Sequence, residues 1–381
     1  MMAAVSRTGR QAAAWGLAGL VAMALAGCWG GPTKPDPTPL APLEAKLVVA
    51  QAWNQSIGSV SFPLAVAVND GTYTVASDDG TVLALNAANG AQVWRADVNA
   101  KLSAGVGSDG RIAAVVTRDN ELVVLDKGVV TWRKTLPSRV VTSPLVAGER
   151  VFVVSVDRTV NAFDAFDGRK LWTYQKPGDA LTLSQASVLQ PFRDTLLVGQ
   201  GGKLAGLDPL NGQVRWESTV ASPRGTNEVE RLADLVGPGA RAGEQVCVRA
   251  FQVAVGCVNA ERGTSLWSRN ASGSDGVAGD DRMVVGADNI DRITAWRTVD
   301  GSVAWSGDSL LYRGLSSPVM AGLSVVFGDS EGYVHWFGRD SGTAVARQAT
   351  DGNAIVVAPT RAGNVTLVVT SGGGLYAFRS E

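Results

Sequence analysis

ALNAANGAQVW, residues 84–94, carries an Asn-Gly pair and, four residues after the glycine, a tryptophan. The phrase returns as AFDAFDGRKLW at 162–172, GLDPLNGQVRW at 206–216, CVNAERGTSLW at 257–267 and AWRTVDGSVAW at 295–305, with a shortened form, VLDKGVVTW, at 124–132. Trp94, Trp132, Trp172, Trp216, Trp267 and Trp305 are therefore 38, 40, 44, 51 and 38 residues apart. That is the period of a four-stranded propeller blade, although period alone also fits a solenoid. The strand pattern separates the two. Residues 143–175 break into SPLVAG, ERVFVVS, TVNAFD and KLWTYQ, short β-branched runs with turn residues between them and no stretch of helical period. Each unit is predicted to be four antiparallel strands.

Within a unit, Asn89-Gly90, Asp167-Gly168, Asn211-Gly212 and Asp300-Gly301 fall where the third strand must reverse into the fourth, and such pairs accept the positive φ of a tight turn. Tryptophan then opens the outer strand, where a large ring with one N–H suits the seam between blades. Ten residues earlier, Ala84, Ala162, Gly206, Cys257 and Ala295 keep the third strand small enough for an indole to lie against it. A seventh unit has Gly342 in register but Ala346 in place of the tryptophan. An eighth, LVVTSGGGLYAF at 367–378, stops before its outer strand, while LVVAQAWN at 47–54, with Trp53, is a strand without a hairpin partner. Pairing the two closes an all-β, eight-bladed ring of four-stranded blades and removes the free edges. Seven blades is the alternative if the irregular residues 221–245 do not begin a blade of their own.

Composition narrows the class of partner. Charges nearly cancel, with 34 Lys and Arg against 35 Asp and Glu, which leaves no electrostatic footprint for nucleic acid. Forty-five glycines suit many tight turns. Residues 1–27 read as a secretory signal, with Arg7 and Arg10 ahead of an apolar run from Ala12 to Ala26. LAGC at 25–28 resembles a bacterial lipobox, in which Cys28 becomes the lipidated first residue. Trp29, where an Asp commonly retains lipoproteins in the inner membrane, points to the periplasmic face of the outer membrane. A Pro-rich tether, within residues 28–45, then leads to a propeller over 46–381.

Chemistry-bearing residues are sparse. GDSEGYVHWF at 328–337 offers Asp329, Glu331 and the single histidine, His335, but Asp329 to Gly332 coincide with a turn between strands. One histidine excludes a multi-histidine zinc site, and no metal site is expected. Gly201-Gly202 and Gly372 to Gly374 precede no helix that could hold a phosphate. Cys247 and Cys257 bracket a hairpin centred on residue 252 and should face each other, either as a disulfide or as two buried thiols.

The tryptophan repeat resembles that of the pyrroloquinoline-quinone dehydrogenases, which implies an enzymatic alternative: a periplasmic quinoprotein or other ligand-binding propeller. Those enzymes carry adjacent cysteines and a Glu, Asn and Asp calcium site, and this chain has no Cys-Cys pair. With the lipobox, the tether and stretches such as GDSEGYVHWF, LLYRGLSSPVM (310–320) and TNEVERLADLVG (226–237), the whole chain more closely resembles the BamB family of outer-membrane protein assembly factors. The resemblance implies a lipoprotein scaffold of the β-barrel assembly (BAM) complex, with no catalytic residues and no cofactor, that docks on the periplasmic domains of BamA. It implies contact through Leu181 and Leu183 in ALTLSQAS and through Arg231 and Asp234 in VERLADLV. The chain departs from the family where Ser184 replaces a usual arginine and Val236 a frequent acid. From the residues alone, Leu181 and Leu183 fit equally the inner strand of blade four, facing the core.

Overall fold

The computed structural model describes residues 35–176, 182–222 and 232–380. Their strands fall into eight antiparallel sheets of four. Blade one has Ala67–Asn69 innermost, then Thr72–Ala76, Thr81–Asn86 and Gln92–Asp97 at the rim. Blades two to seven repeat that order over 102–135, 145–174, 189–219, 235–270, 278–307 and 319–349. Blade eight takes Thr360–Ala362, Val365–Val369 and Gly374–Ser380 from the C-terminal end and its outer strand, Val49–Ser56, from the N-terminal end. The irregular segment before Leu235–Ala242 thus leads into an ordinary blade, and the count is eight, not seven. The closing strand pairs through Val49↔Ser380, Trp53↔Ala377 and Ser56↔Gly374, and at the opposite edge of that sheet the innermost strands of blades eight and one meet.

Middle strands are buried on both faces, which is why IAAVVT (112–117) and ELVVLD (121–126) read as almost continuous apolar runs. Outer strands alternate, with one face in the seam and the other in solvent; Gln92–Asp97 and Val129–Thr135 show the pattern. Turns between second and third strands, together with the connections from blade to blade, open on one face of the ring. The remaining hairpins open on the other.

Tryptophan explains the seams. Trp94, Trp172, Trp216, Trp267 and Trp305 stand directly across from Ala84, Ala162, Gly206, Cys257 and Ala295. Each ring then reaches the following blade and lies on the glycine of its last hairpin. A Cβ on Gly90, Gly168, Gly212 or Gly301 would come within 2.7, 2.7, 2.6 and 2.5 Å of Trp53, Trp132, Trp172 and Trp267, respectively. Glycine at this position is thus required twice, for its positive φ and for its missing side chain; the turn chemistry alone accounts for only the first. Trp53, Trp132, Trp172, Trp267 and Trp305 also donate Nε1–H to the carbonyl three residues before that glycine, at 2.9, 2.9, 3.0, 2.8 and 2.7 Å. Truncating one such ring to alanine should cost about 3–5 kcal/mol.

The body begins earlier than the Pro-rich stretch suggests. Thr38 N–H donates to Leu311 O, and Lys46 and Leu47 N–H donate to Val345 O. Residues 38–47 therefore run along the outer strand of blade seven, Ala344–Ala349, instead of forming the end of a tether. Burial of Leu40 and Leu47 against blades six to eight favours that course.

Candidate partner-docking site

Blade three turns between its second and third strands through Ser155–Thr159. Asp157 Oδ1 accepts the Thr159 N–H, and Arg158 N–H donates to Ser155 O at 2.9 Å. The turn forces Arg158 to φ +65°. At the equivalent turn other blades use Gly80, Gly201, Gly332 and Gly373, or Asn120, Gln252 and Asp291, all with positive φ. A long side chain there costs about 1–2 kcal/mol relative to glycine, so the position of Arg158 asks for a compensating contact.

That contact is Asp234, the residue before the first strand of blade five. Arg158 Nε and Nη2 donate to Asp234 Oδ1 at 3.2 and 2.8 Å, and the second carboxylate oxygen accepts the Leu183 N–H at 3.1 Å. Asp234 itself is only 9% exposed. Three blades are joined by one carboxylate. Further bonds hold the two connections in place: Ser187 Oγ donates to Leu235 O, Gly237 N–H to Ala186 O, and Ser187 N–H to Thr142 Oγ1. Beneath Leu183 and Asp234 lies a cavity of about 30 Å³, also lined by Ser155, whose hydroxyl has no partner among the described residues. Its size suits a single water.

Of the residues expected to contact a partner, Leu183 and Asp234 are thus brought together on the face that carries the interblade connections. Leu181 and Arg231, like Cys28, lie outside the described residues. Leu183 is not in the inner strand of blade four, which is Leu189–Phe192; it is half-buried on the connection before it. Asp234 is not an exposed rim charge either, because Arg158 already neutralises it. Ser184 is exposed, whereas Val236 is buried at the start of a strand, where an acid would have no solvent. Arg158 was missed by motif reading, and its only sequence signal is an arginine where the repeat asks for glycine or asparagine.

The motif around the single histidine is saturated. Asp329 Oδ1 accepts the backbone N–H of Glu331 and Tyr333, and Oδ2 accepts from Arg313 Nε at 2.8 Å and pairs with His335 Nε2 at 2.9 Å. Arg313 Nη1 reaches Thr38 O and Nη2 reaches Glu331. Burial pushes the Asp329 carboxyl up, but His335, the Tyr333 N–H and Arg313 outweigh it and hold the group below the usual carboxylate range. Burial lowers His335, more than Asp329 restores. The cluster fastens the N-terminal segment to blade seven. Every oxygen of Asp329 is engaged in doing so.

Cys247 and Cys257 stand directly opposite on neighbouring strands, with Cα atoms 4.0 Å apart, and are joined as a disulfide. Arg249, two residues on, is fully buried between blades five and six; burial pushes its guanidinium down to about 10, and Nη1 donates to Ser272 O. A cavity of about 1050 Å³ is lined by residues in and next to the innermost strands, among them Phe62, Leu64, Val188, Val277, Val319 and Arg241.

Comparison with known proteins agrees with this architecture. A family profile described as outer membrane protein assembly factor BamB matches residues 78–307. The outer membrane protein assembly factor BamB of Burkholderia pseudomallei is 38% identical over 349 residues, covering 90% of this chain and 91% of that protein. The crystal structure of BamB from Moraxella catarrhalis superposes with a TM-score of 0.79 at 22% identity, over 87% of this chain and all of that one. Quinohemoprotein alcohol dehydrogenase from Comamonas testosteroni shares the fold at a TM-score of 0.64 and 14% identity, over 87% of this chain and 76% of that one. With a profile spanning more than half its length and a relative matched over nine-tenths of it, the chain belongs to the BamB family of outer membrane protein assembly factors.

Proposed function

We propose that this chain is a non-catalytic scaffold lipoprotein of the BAM complex, anchored at the periplasmic face of the outer membrane through Cys28 and docked on the periplasmic domains of BamA. The observation that carries the reading is the Leu183–Asp234 contact. Leu183 and Asp234, far apart in sequence, are held side by side, and the leucine is half-buried. A preorganised apolar side chain with polar neighbours is the anatomy of a small interaction centre. Leu181 and Arg231, close in sequence to these two, are the remaining members proposed for the contact. As a scaffold the protein needs no cofactor; it works by holding BamA and the other BAM subunits in position while barrel proteins fold and insert.

Co-purification tests the reading. Leu183→Glu should abolish recovery of BamA from detergent-solubilised envelopes while the variant keeps its melting temperature. Undiminished recovery would exclude this face. Cys28→Ser should remove the acyl label from the mature protein, and a labelled variant would exclude the anchor. The 1050 Å³ cavity favours a second reading, a ligand-binding propeller of the quinoprotein kind; a quinone absorption band in the purified protein would support it.

A further inference from the structure

We infer that Arg158 is the positioning residue of the docking site: it holds Leu183, ahead of blade four, and the start of blade five in one geometry by clamping Asp234, and partner affinity depends on that clamp. The inference rests on the docking reading above and adds to it a residue from a third blade.

The first observation is where Arg158 sits. It occupies a left-handed position that four of the eight blades fill with glycine, and a side chain held in a sparsely populated conformation at a surface site calls for a functional reason. The second is what its side chain does. Both Nε and Nη2 converge on a single oxygen of Asp234, leaving the other oxygen aimed at the Leu183 N–H. Gln200 Nε2 donates to Arg158 O and fixes the turn from the blade-four side. The third observation is a comparison within the molecule. Where other blades depart from glycine, Gln252 Nε2 reaches Asn289 and Asp291 accepts from the N–H groups of Gly314 and Leu315. Those two side chains tie blade five to the turn of blade six and blade six to the connection entering blade seven, whereas Asn120 Oδ1 has no partner among the described residues, so the position serves as a cross-link between blades where its side chain is long or charged enough to reach. Only the cross-link of Arg158 reaches Leu183.

The physical consequence concerns preorganisation. Leu183 has one backbone tie to Asp234, and Asp234 is oriented by Arg158. Without the guanidinium the carboxylate is free to turn toward water, and the connection carrying Leu183 samples geometries that a partner must select against. Affinity then falls by the fraction of time spent in the competent geometry, with no contact to the partner lost.

Full-length protein carrying Arg158→Gly, Arg158→Lys or Leu183→Glu is titrated with the purified periplasmic domains of BamA, alongside melting curves and hydrogen exchange at the Leu183 amide. Glycine suits the backbone of the turn and deletes the clamp. The expected result is a tenfold or greater loss of affinity for Arg158→Gly with faster exchange at Leu183 and a melting temperature within a few degrees of the parent. Arg158→Lys, which keeps the charge but not the two-pronged geometry, should recover part of the loss. Parent-like affinity of Arg158→Gly, when Leu183→Glu has lost binding, overturns the inference and leaves the docking reading intact. Affinity and melting temperature falling together, with no recovery by lysine, also overturns it, since Arg158 is then only structural. If Leu183→Glu itself binds like the parent, the docking reading fails and the inference falls with it.

Discussion

Trp336 stands on the third strand of blade seven directly across from Ala346 on the outer strand, the reverse of the arrangement in the other blades. The inversion follows from how the ring closes. Blade eight takes its outer strand from the N-terminal end, so it has no hairpin between third and fourth strands and no turn glycine to receive an indole from blade seven. Trp336 instead packs edge-on against Phe378 of blade eight, with centroids 5.5 Å apart, and its Nε1 has no partner among the described residues. Trp305, by contrast, donates to Arg339 O at 2.7 Å. Trp305→Phe should therefore lose a hydrogen bond and strand an acceptor, about 1–3 kcal/mol beyond the lost area, whereas Trp336→Phe removes an unsatisfied donor and should cost less. Chemical denaturation of the two variants should rank them in that order; equal losses contradict it.

The turn glycines offer a second contrast. Gly148 and Gly301 both have positive φ, yet a Cβ on Gly148 meets nothing within 4 Å while one on Gly301 meets the Trp267 ring at 2.5 Å. Gly148→Ala should cost about 1–2 kcal/mol for its backbone alone, and Gly301→Ala about 1–3 kcal/mol more as the seam is forced apart. Thermal melts of the pair separate the two contributions.

The blade count, the closure and the tryptophan seams were legible because each rests on a local rule repeated many times: Asn-Gly or Asp-Gly at a reversal, tryptophan four residues on, a small residue ten residues before it. Ala346 and the orphan strand at 47–54 were legible as breaks in that rule. The geometry of the proposed docking site was legible only in outline. Leu183 and Asp234 are 51 residues apart, and their union runs through Arg158, on a turn whose sequence carries no recognisable motif. The course of residues 38–47 was hidden for a related reason. Their contacts are with Leu311 and Val345, far along the chain, and their proline content suggests only that they are extended.

Stability should depend on pH through His335, the only histidine of the chain. Burial holds it below its ordinary value, against the pull of Asp329, while Arg313 and Arg347 act in the same direction as burial. The unfolded chain thus binds a proton near pH 6.5 that the folded protein takes up only at lower pH, and unfolding free energy should fall as the pH drops below about 6.5, by at most ~1.4 kcal/mol per unit. Above that pH the contribution is fully present. His335→Gln should flatten the slope of stability between pH 7 and 5, whatever it does to the absolute value; an unchanged slope would falsify the assignment.

The Cys247–Cys257 bridge is expected in protein exported to an oxidising compartment. Both sulfurs should resist alkylation until reductant is added, as mass spectrometry can read directly. Because the bridge closes a loop with a sequence separation of 10, its chain-entropy contribution should be about 3 kcal/mol or less, and Cys247→Ser with Cys257→Ser should still fold. Thiols that react without reductant would mean that the pair serves as two small apolar residues facing Trp267.

Two truncations distinguish the covering segment from the closing strand. A chain starting at residue 48 loses the bonds of Thr38, Lys46 and Leu47 and the burial of Leu40 and Leu47, but keeps Val49–Ser56. It should remain a closed ring, destabilised by about 3–5 kcal/mol, with the outer edge of blade seven more open to exchange. A chain starting at residue 57 also loses Trp53, its hydrogen bond to Ala87 and the whole outer strand of blade eight. That leaves Gly374–Ser380 as a bare edge beside blade one, so unfolding should lose its single cooperative transition and the protein should associate through the exposed strand. Denaturant titration and light scattering on the two chains give the comparison. Equal behaviour would mean that Val49–Ser56 contributes no more than the segment before it, and that the ring does not depend on its closing strand.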